Sequence, residues 1–239
     1  MKKNMKRSLA AALALAMMLT GLVGCSEKQN DASSSGVPAS SQSASGSLSQ
    51  QEKPSTGTKL TQENILNYPE SAASDFESIW SKEGRMIVSC TSEDEVVVVP
   101  KKIDGDPVIG IASAGMALLP ARAIVLPDTV QTIGDSAFNG CEELEYIHLG
   151  SGLKRIGDVA FNICPSLKQA IFPEGMEVIV QCPFIFCHEL EKVVIPASVT
   201  TIPNGIFTPD DSPKAYIVTP EGSVADAVAA EFGIPVQRP

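Results

Sequence analysis

The chain has 239 residues, with 18 Lys plus Arg against 28 Asp plus Glu, two His, one Trp and a 44% hydrophobic share. That is enough for one or two domains with a real core. A formal charge of −10 argues against nucleic acid, whose binding rests on Lys and Arg neutralising phosphates, and so few His and aromatic residues leave little for acid–base or stacking chemistry.

Four basic residues, Lys2, Lys3, Lys6 and Arg7, precede an apolar stretch from Leu9 to Leu19. The stretch is short for a membrane span and reads as the core of a signal segment over residues 1–24. Leu22-Val23-Gly24-Cys25 resembles the lipobox of bacterial lipoproteins. The resemblance implies cleavage before Cys25, whose thiol accepts diacylglycerol and becomes the membrane anchor. Removing residues 1–24 leaves 14 basic against 28 acidic residues, a formal −14. Such a chain is repelled by anionic lipid, so acyl chains rather than a basic patch must hold it outside the cytoplasm, at the bacterial cell membrane. Residues 25–58 are rich in Ser, Gln, Gly and Ala. They cannot bury enough surface to offset ordering entropy and are expected to form a disordered tether, with a reach of about 30 Å.

The remainder, residues 59–239, repeats. Leu126, Leu149, Phe172, Ile195 and Val218 stand 23 residues apart, as do Val130, Leu153, Met176 and Val199. The same step links Ile133, Ile156, Ile179 and Ile202, and again Phe138, Phe161, Phe184 and Phe207. Cys141, Cys164 and Cys187 form another column, and Leu144, Leu167 and Leu190 a sixth. One register shared by six columns predicts a solenoid whose turns bury their apolar sides against one another. Leu144-x-x-Ile147-x-Leu149 and its copies match the strand core of leucine-rich repeats. Alternation puts 147 and 149 inward and 146 and 148 outward. Asp135, Asp158, Gln181 and Asn204 then precede the Phe pairs, predicting a short helical or 3₁₀ turn opposite the strand with Phe inside.

The pattern I-x-L-P-x-x-V-x-x-I-G-x-x-A-F-x-x-C-x-x-L is nearly complete in residues 124–144 and 147–167 and partial in 171–190 and 194–207. It resembles the BspA-like, or Treponema pallidum type, leucine-rich repeat. An imperfect opening copy runs from Val98-Val99-Pro100 to Met116. The resemblance implies a secreted or surface protein of bacteria, several relatives of which act as adhesins. The fold expected is mainly β with short helical turns: a leucine-rich-repeat solenoid of about five 23-residue turns with a C-terminal capping helix.

Both ends of a solenoid need capping. An atypical β-rich cap is expected over about 59–97, with repeats over about 98–218 and a C-terminal cap at 219–239. In that last segment Ser223 suits an N-cap and Gly233 the C′ position. Val224, Val228 and Phe232 are expected on the buried helical face.

Chemistry finds little support. The Cys column is expected inside, where thiols act as small hydrophobes, although adjacent rungs are close enough for a bridge. Cys182-x4-Cys187-His188 is half of a zinc site without a second ligand pair, and Asp104-Gly105-Asp106 reads as a turn rather than a calcium loop. His148 points away from the Cys column, so no Cys–His nucleophile forms. No catalytic, metal or cofactor site is therefore expected, and no enzyme.

The outward strand positions form two columns. One holds Val125, His148, Ile171, Val194 and Ile217, and the other Ala123, Tyr146, Gln169, Lys192 and Ala215. The first is almost wholly apolar where water-facing residues are normally polar, which marks a candidate binding face. Tyr146 and His148 add residue types favoured at contacts, and Gln169 and Lys192 polar handles. The function expected is a lipid-anchored, non-enzymatic module binding an extracellular protein or glycan in an adhesion-like role. The alternative is a structural lipoprotein of the envelope that self-associates.

Overall fold

A computed structural model describes residues 59–202, 206–207 and 215–239. The signal segment, Cys25, the tether and Asn204 lie outside the described residues. The chain passes through two 3₁₀ turns, Asn64–Asn67 and Ala73–Asp75, into an antiparallel hairpin of β1 (Phe76–Ser81) and β2 (Gly84–Cys90). From there it winds. Each of the first four windings gives one short strand to a front sheet and one to a back sheet, and successive windings pair in parallel. The fifth adds a front strand and only an isolated bridge at Thr201 on the back. The front sheet runs through β3 (Val96–Val98), β6 (Ala123–Val125), β8 (Tyr146–His148), β10 (Gln169–Ile171), β12 (Lys192–Val194) and β13 (Tyr216–Val218). The last strand, β14 (Val236–Gln237), closes it. The back sheet continues from β2 through β5 (Asp106–Ile111), β7 (Thr132–Ile133), β9 (Arg155–Ile156) and β11 (Val178–Ile179). β4 (Lys102–Ile103) pairs with β5 across a tight turn at Asp104 and Gly105, both with positive φ, as a two-residue hairpin needs.

The 23-residue step is the pairing register itself: Ala123 faces Tyr146, Gln169 faces Lys192, and Arg155 faces Val178. The front strands from β3 to β13 mark about six windings, in line with the solenoid of about five expected, and the opening copy carries the β4–β5 hairpin. Between the sheets lie the apolar columns, with Ile147, Leu149, Leu153, Ile156, Phe161 and Leu167 from one winding all buried. The rings of Phe138 and Phe161 stack at 5.1 Å, and those of Phe161 and Phe184 at 5.4 Å. Burial of such columns is the main favourable term in folding.

Three expectations need correction. The segment opposite the front strands is not helical. At residues 135–140 the backbone turns, with Ser136 and Gly140 in the left-handed region. Its amides bond to the next winding instead, Ser136 N–H to the Asp158 carbonyl and Phe138 N–H to that of Ala160. A helix would spend those donors within one turn, whereas here stacking claims them. The Phe side chains still point inward, as the periodicity predicts.

The second correction is one of register. Lys192 faces Tyr216, 24 residues on. Phe184 still bridges Phe207 at a step of 23, so the extra residue falls between Phe207 and Tyr216. A one-residue slip flips every side chain of a strand. Ile217, placed outward by the strict period, is fully buried, and so is Ala215; Tyr216 and Val218 take the outward positions. The polar Thr219 inherits the buried column of Ile195, and its hydroxyl is satisfied by Ser223 Oγ at 2.8 Å.

The third concerns the last helix, α1 (Val224–Phe232). Ser223 Oγ accepts from Asp226 N–H, and Gly233 ends the helix with φ 66°, so both caps are as expected. The buried side, however, is Ala225, Val228 and Ala229, while Val224 and Phe232 are exposed. Two alanines let the helix approach the final winding closely, which turns the larger residues outward.

Candidate functional site

The front sheet turns the first and third residues of its three-residue strands away from the core, since each central strand residue is buried. Val125, Tyr146, His148, Gln169, Ile171, Lys192 and Val194 are all half-buried and outward. One of the proposed contacts, Ile217, does not join them.

The chain itself covers one end of this face. Residues 59–68 cross over β3, β6 and β8 as a strap. Leu60 and Ile65 are fully buried there, packed with Val96, Val98 and Ala123, with Val125, Tyr146 and Tyr68 against the cluster. Ala123 is therefore an internal contact rather than an exposed one. Gln62 Nε2 donates to the Ile147 carbonyl at 3.0 Å, beside the β8–β10 pair that registers at only one position. Farther along, Ser71 N–H donates to the Val98 carbonyl and Val98 N–H to Ser71 Oγ. These bonds satisfy the outer edge of β3, which would otherwise invite another strand. The strap's reach ends at β10, where Gln169 Nε2 donates to Gln62 Oε1 at 3.5 Å, and rungs β12 and β13 carry no such cover among the described residues.

At the strap's margin is a cavity of about 360 Å³ walled by Leu66, Leu149, Ile171 and Pro173 on its apolar side and by Glu63, Asp128 and His148 on its polar side. His148 is half-buried. Burial holds its imidazole below the usual value, and the charge of Asp128 works against that. Asp128 is itself held low by the Ser151 N–H and hydroxyl, both of which donate to its Oδ1. The Ser151 hydroxyl is thus engaged by Asp128 and aligns with no base.

A row of alternating charge borders the same face, in the residues immediately before β3, β6, β8 and β10. Arg122 bonds Glu95 and Glu145, each at 2.5 Å, and Lys168 completes the row on the other oxygen of Glu145. Burial pushes the Glu145 carboxyl up, but hydrogen bonds from Lys168 and Arg122 outweigh it and hold the group below the usual range. Lys168 Nζ also lies 5.3 Å from the centre of the Tyr146 ring. Arg122, Glu145 and Lys168 stand at the 23-residue step with alternating sign, a signal present in the sequence beside the apolar columns.

The Cys column is buried, and its thiols have a specific task. Cys141, Cys164 and Cys187 each donate to a backbone carbonyl of the preceding winding, those of Met116, Phe138 and Phe161. Burial raises the Cys141 thiol to about 12 and pushes Cys164 up further, so neither is a nucleophile near neutrality. Arg85 pairs with Asp104 and Asp106 at 3.2 Å, which fills the acidic turn with a cation of the chain's own. Among the described residues no group of three or more potential metal ligands converges.

Residues 118–220 match the BspA type leucine-rich repeat region in six copies. The structure is similar to a crystal structure of a leucine-rich repeat protein of T. pallidum, with 25% identity and a TM-score of 0.56. The match covers 71% of this chain and 98% of that one. It is also similar, at 23% identity and a TM-score of 0.49, to a leucine-rich cell surface protein of Faecalibacterium prausnitzii, covering 67% of this chain and 37% of that one. No curated protein matches the chain.

Proposed function

We propose that this chain, which belongs to the BspA-type leucine-rich repeat proteins, is a non-enzymatic module that binds a partner protein outside the bacterial cytoplasm. Leucine-rich repeat solenoids generally serve as protein-binding surfaces. The observation that carries the reading is the front face beyond the strap: Ile171, Val194 and Val218 in one column, with Lys192 and Tyr216 beside the last two. Apolar residues side by side and outward on a rigid sheet favour contact with another surface. Their β-branched character also suits strands, which is why the test must separate binding from folding.

The anchoring part of the proposal rests on the sequence. The lipobox-like Leu22-Val23-Gly24-Cys25 and the Ser-rich residues behind it support a lipid-held, tethered module. Cys25→Ala is expected to release the protein from membranes or to block its maturation. A variant that still fractionates with membranes after the same cleavage contradicts the anchor.

The binding face is tested by Ile171→Asp combined with Val194→Asp. Neither side chain enters the core, so the double variant is expected to keep its unfolding midpoint while cross-linked adducts on whole cells disappear. A well-folded double variant that retains its adducts moves the site to the back turns or the caps. An adduct of two copies of this chain would support self-association instead.

A further inference from the structure

The cavity between strap and sheet has a chemistry that narrows the kind of partner, and this inference rests on the binding-module reading above. Its walls are apolar, and the nearest charges on its lining are the carboxylates of Glu63 and Asp128. Glu63 is exposed and makes no ion pair among the described residues. Only Oδ1 of Asp128 is engaged, by Ser151. Leu66, on the strap, is half exposed although large and apolar, and it lies on the cavity's rim. The domain around it is anionic throughout. Six of the 18 basic and three of the 28 acidic residues precede residue 59, leaving 12 against 25.

We infer that this cavity takes a basic side chain, Lys or Arg, presented by a polypeptide partner whose neighbouring residue is apolar. The long methylene stem of such a side chain lies along apolar walls while its charged head reaches carboxylates. Leu66, Ile171 and Pro173 match the stem, and Glu63 and Asp128 match the head. Apolar walls also lower the local dielectric, so the two carboxylates attract a cation more strongly than they would on an open surface. Arg gains in addition from the bidentate geometry that a carboxylate allows. The net charge of the domain steers a basic partner in and turns an acidic one away. The apolar neighbour has its place beyond the cavity, where Ile171 continues into Val194 on the uncovered rungs. The strap therefore does more than close the end of the sheet, since it supplies Glu63 and Leu66 to the site.

The test is to pan the full chain against a phage-displayed library of random peptides and to titrate the enriched peptides, made synthetically, at low and high salt. The expected result is enrichment of Lys or Arg next to an aliphatic or aromatic residue, with affinity that falls as salt rises. Glu63→Lys, on the exposed strap, is expected to weaken these peptides by about tenfold or more, and Leu66→Ser to weaken them with less salt dependence. Enrichment of acidic or purely apolar peptides overturns the inference, as does binding indifferent to Glu63→Lys, or no enrichment at all. Peptides lost with Ile171→Asp and Val194→Asp but indifferent to Glu63→Lys overturn the cation pocket while leaving the front face as a binding surface.

Discussion

Phe161 is held between Phe138 and Phe184, with near-parallel rings on both sides and no solvent exposure. Truncating it removes buried surface, leaves a cavity and breaks two stacks at once. Phe161→Ala is expected to cost about 3–5 kcal/mol in chemical denaturation. A cost no larger than that of the surface change Lys154→Ala would mean that the column is not the spine of the solenoid. These positions were legible in the sequence because inward residues recur at a fixed step and must be large and apolar. Polar pairings were harder to read, since the charge row depends on which side of the strand each residue begins. Glu145 tests that row. Its carboxyl is lowered from 4.5 in the folded chain, so its contribution is present above the unfolded value and is lost as pH falls through the folded one. The partners are partly solvated, so Glu145→Gln is expected to cost only about 1 kcal/mol near neutrality, and less near pH 3. An equal loss at both pH values would assign the effect to packing instead of charge.

At the scale of elements, the turns behind the Phe column carry strain that the repeat does not announce. Ile163 has φ 57° and Val159 φ 46°, both β-branched in the left-handed region. Gly140 occupies the place equivalent to Ile163 one winding earlier, at φ 73°. Stacking hydrogen bonds on both sides hold this backbone, with Ile163 N–H donating to the Ile185 carbonyl. Ile163 is partly exposed, so little packing is lost by changing it. Ile163→Asn is expected to stabilise the protein by about 1 kcal/mol, read as a melting point higher by about 3 °C. A destabilised variant would show that the isoleucine side chain contributes more than its backbone costs. Sequence reasoning expected a helical turn here because Asp135 and Asp158 suit N-caps. Asp135 does cap, but it caps a neighbour: its Oδ1 accepts the Asp158 N–H of the next winding at 2.9 Å. Local pattern identified the residue's habit and missed the strand-like stacking that redirects it.

At the scale of the whole molecule, windings and columns followed from the period, and the departures arise where the period breaks. The extra residue before Tyr216 inverted Ile217 and Ala215, and nothing in the sequence between Phe207 and Tyr216 marks where the slip occurs. The strap was hidden for a different reason. Leu60, Ile65 and Tyr68 are visible as the first apolar residues after the Ser-rich stretch, but nothing in their order says that they fold back over rungs separated from them by tens of residues. That covering divides the front face into a closed part at Val125 and Tyr146 and an open part from Ile171 to Val218, and the account's central claim is that partners use the open part. The most direct measurement is photo-cross-linking on cells with one photoreactive residue introduced at a time, at Val194, at Val125 and at Ile163. An adduct with a second polypeptide from Val194, with none from Val125 or Ile163, is the predicted result. Adducts from Ile163 alone would place the contact on the back turns and contradict the claim.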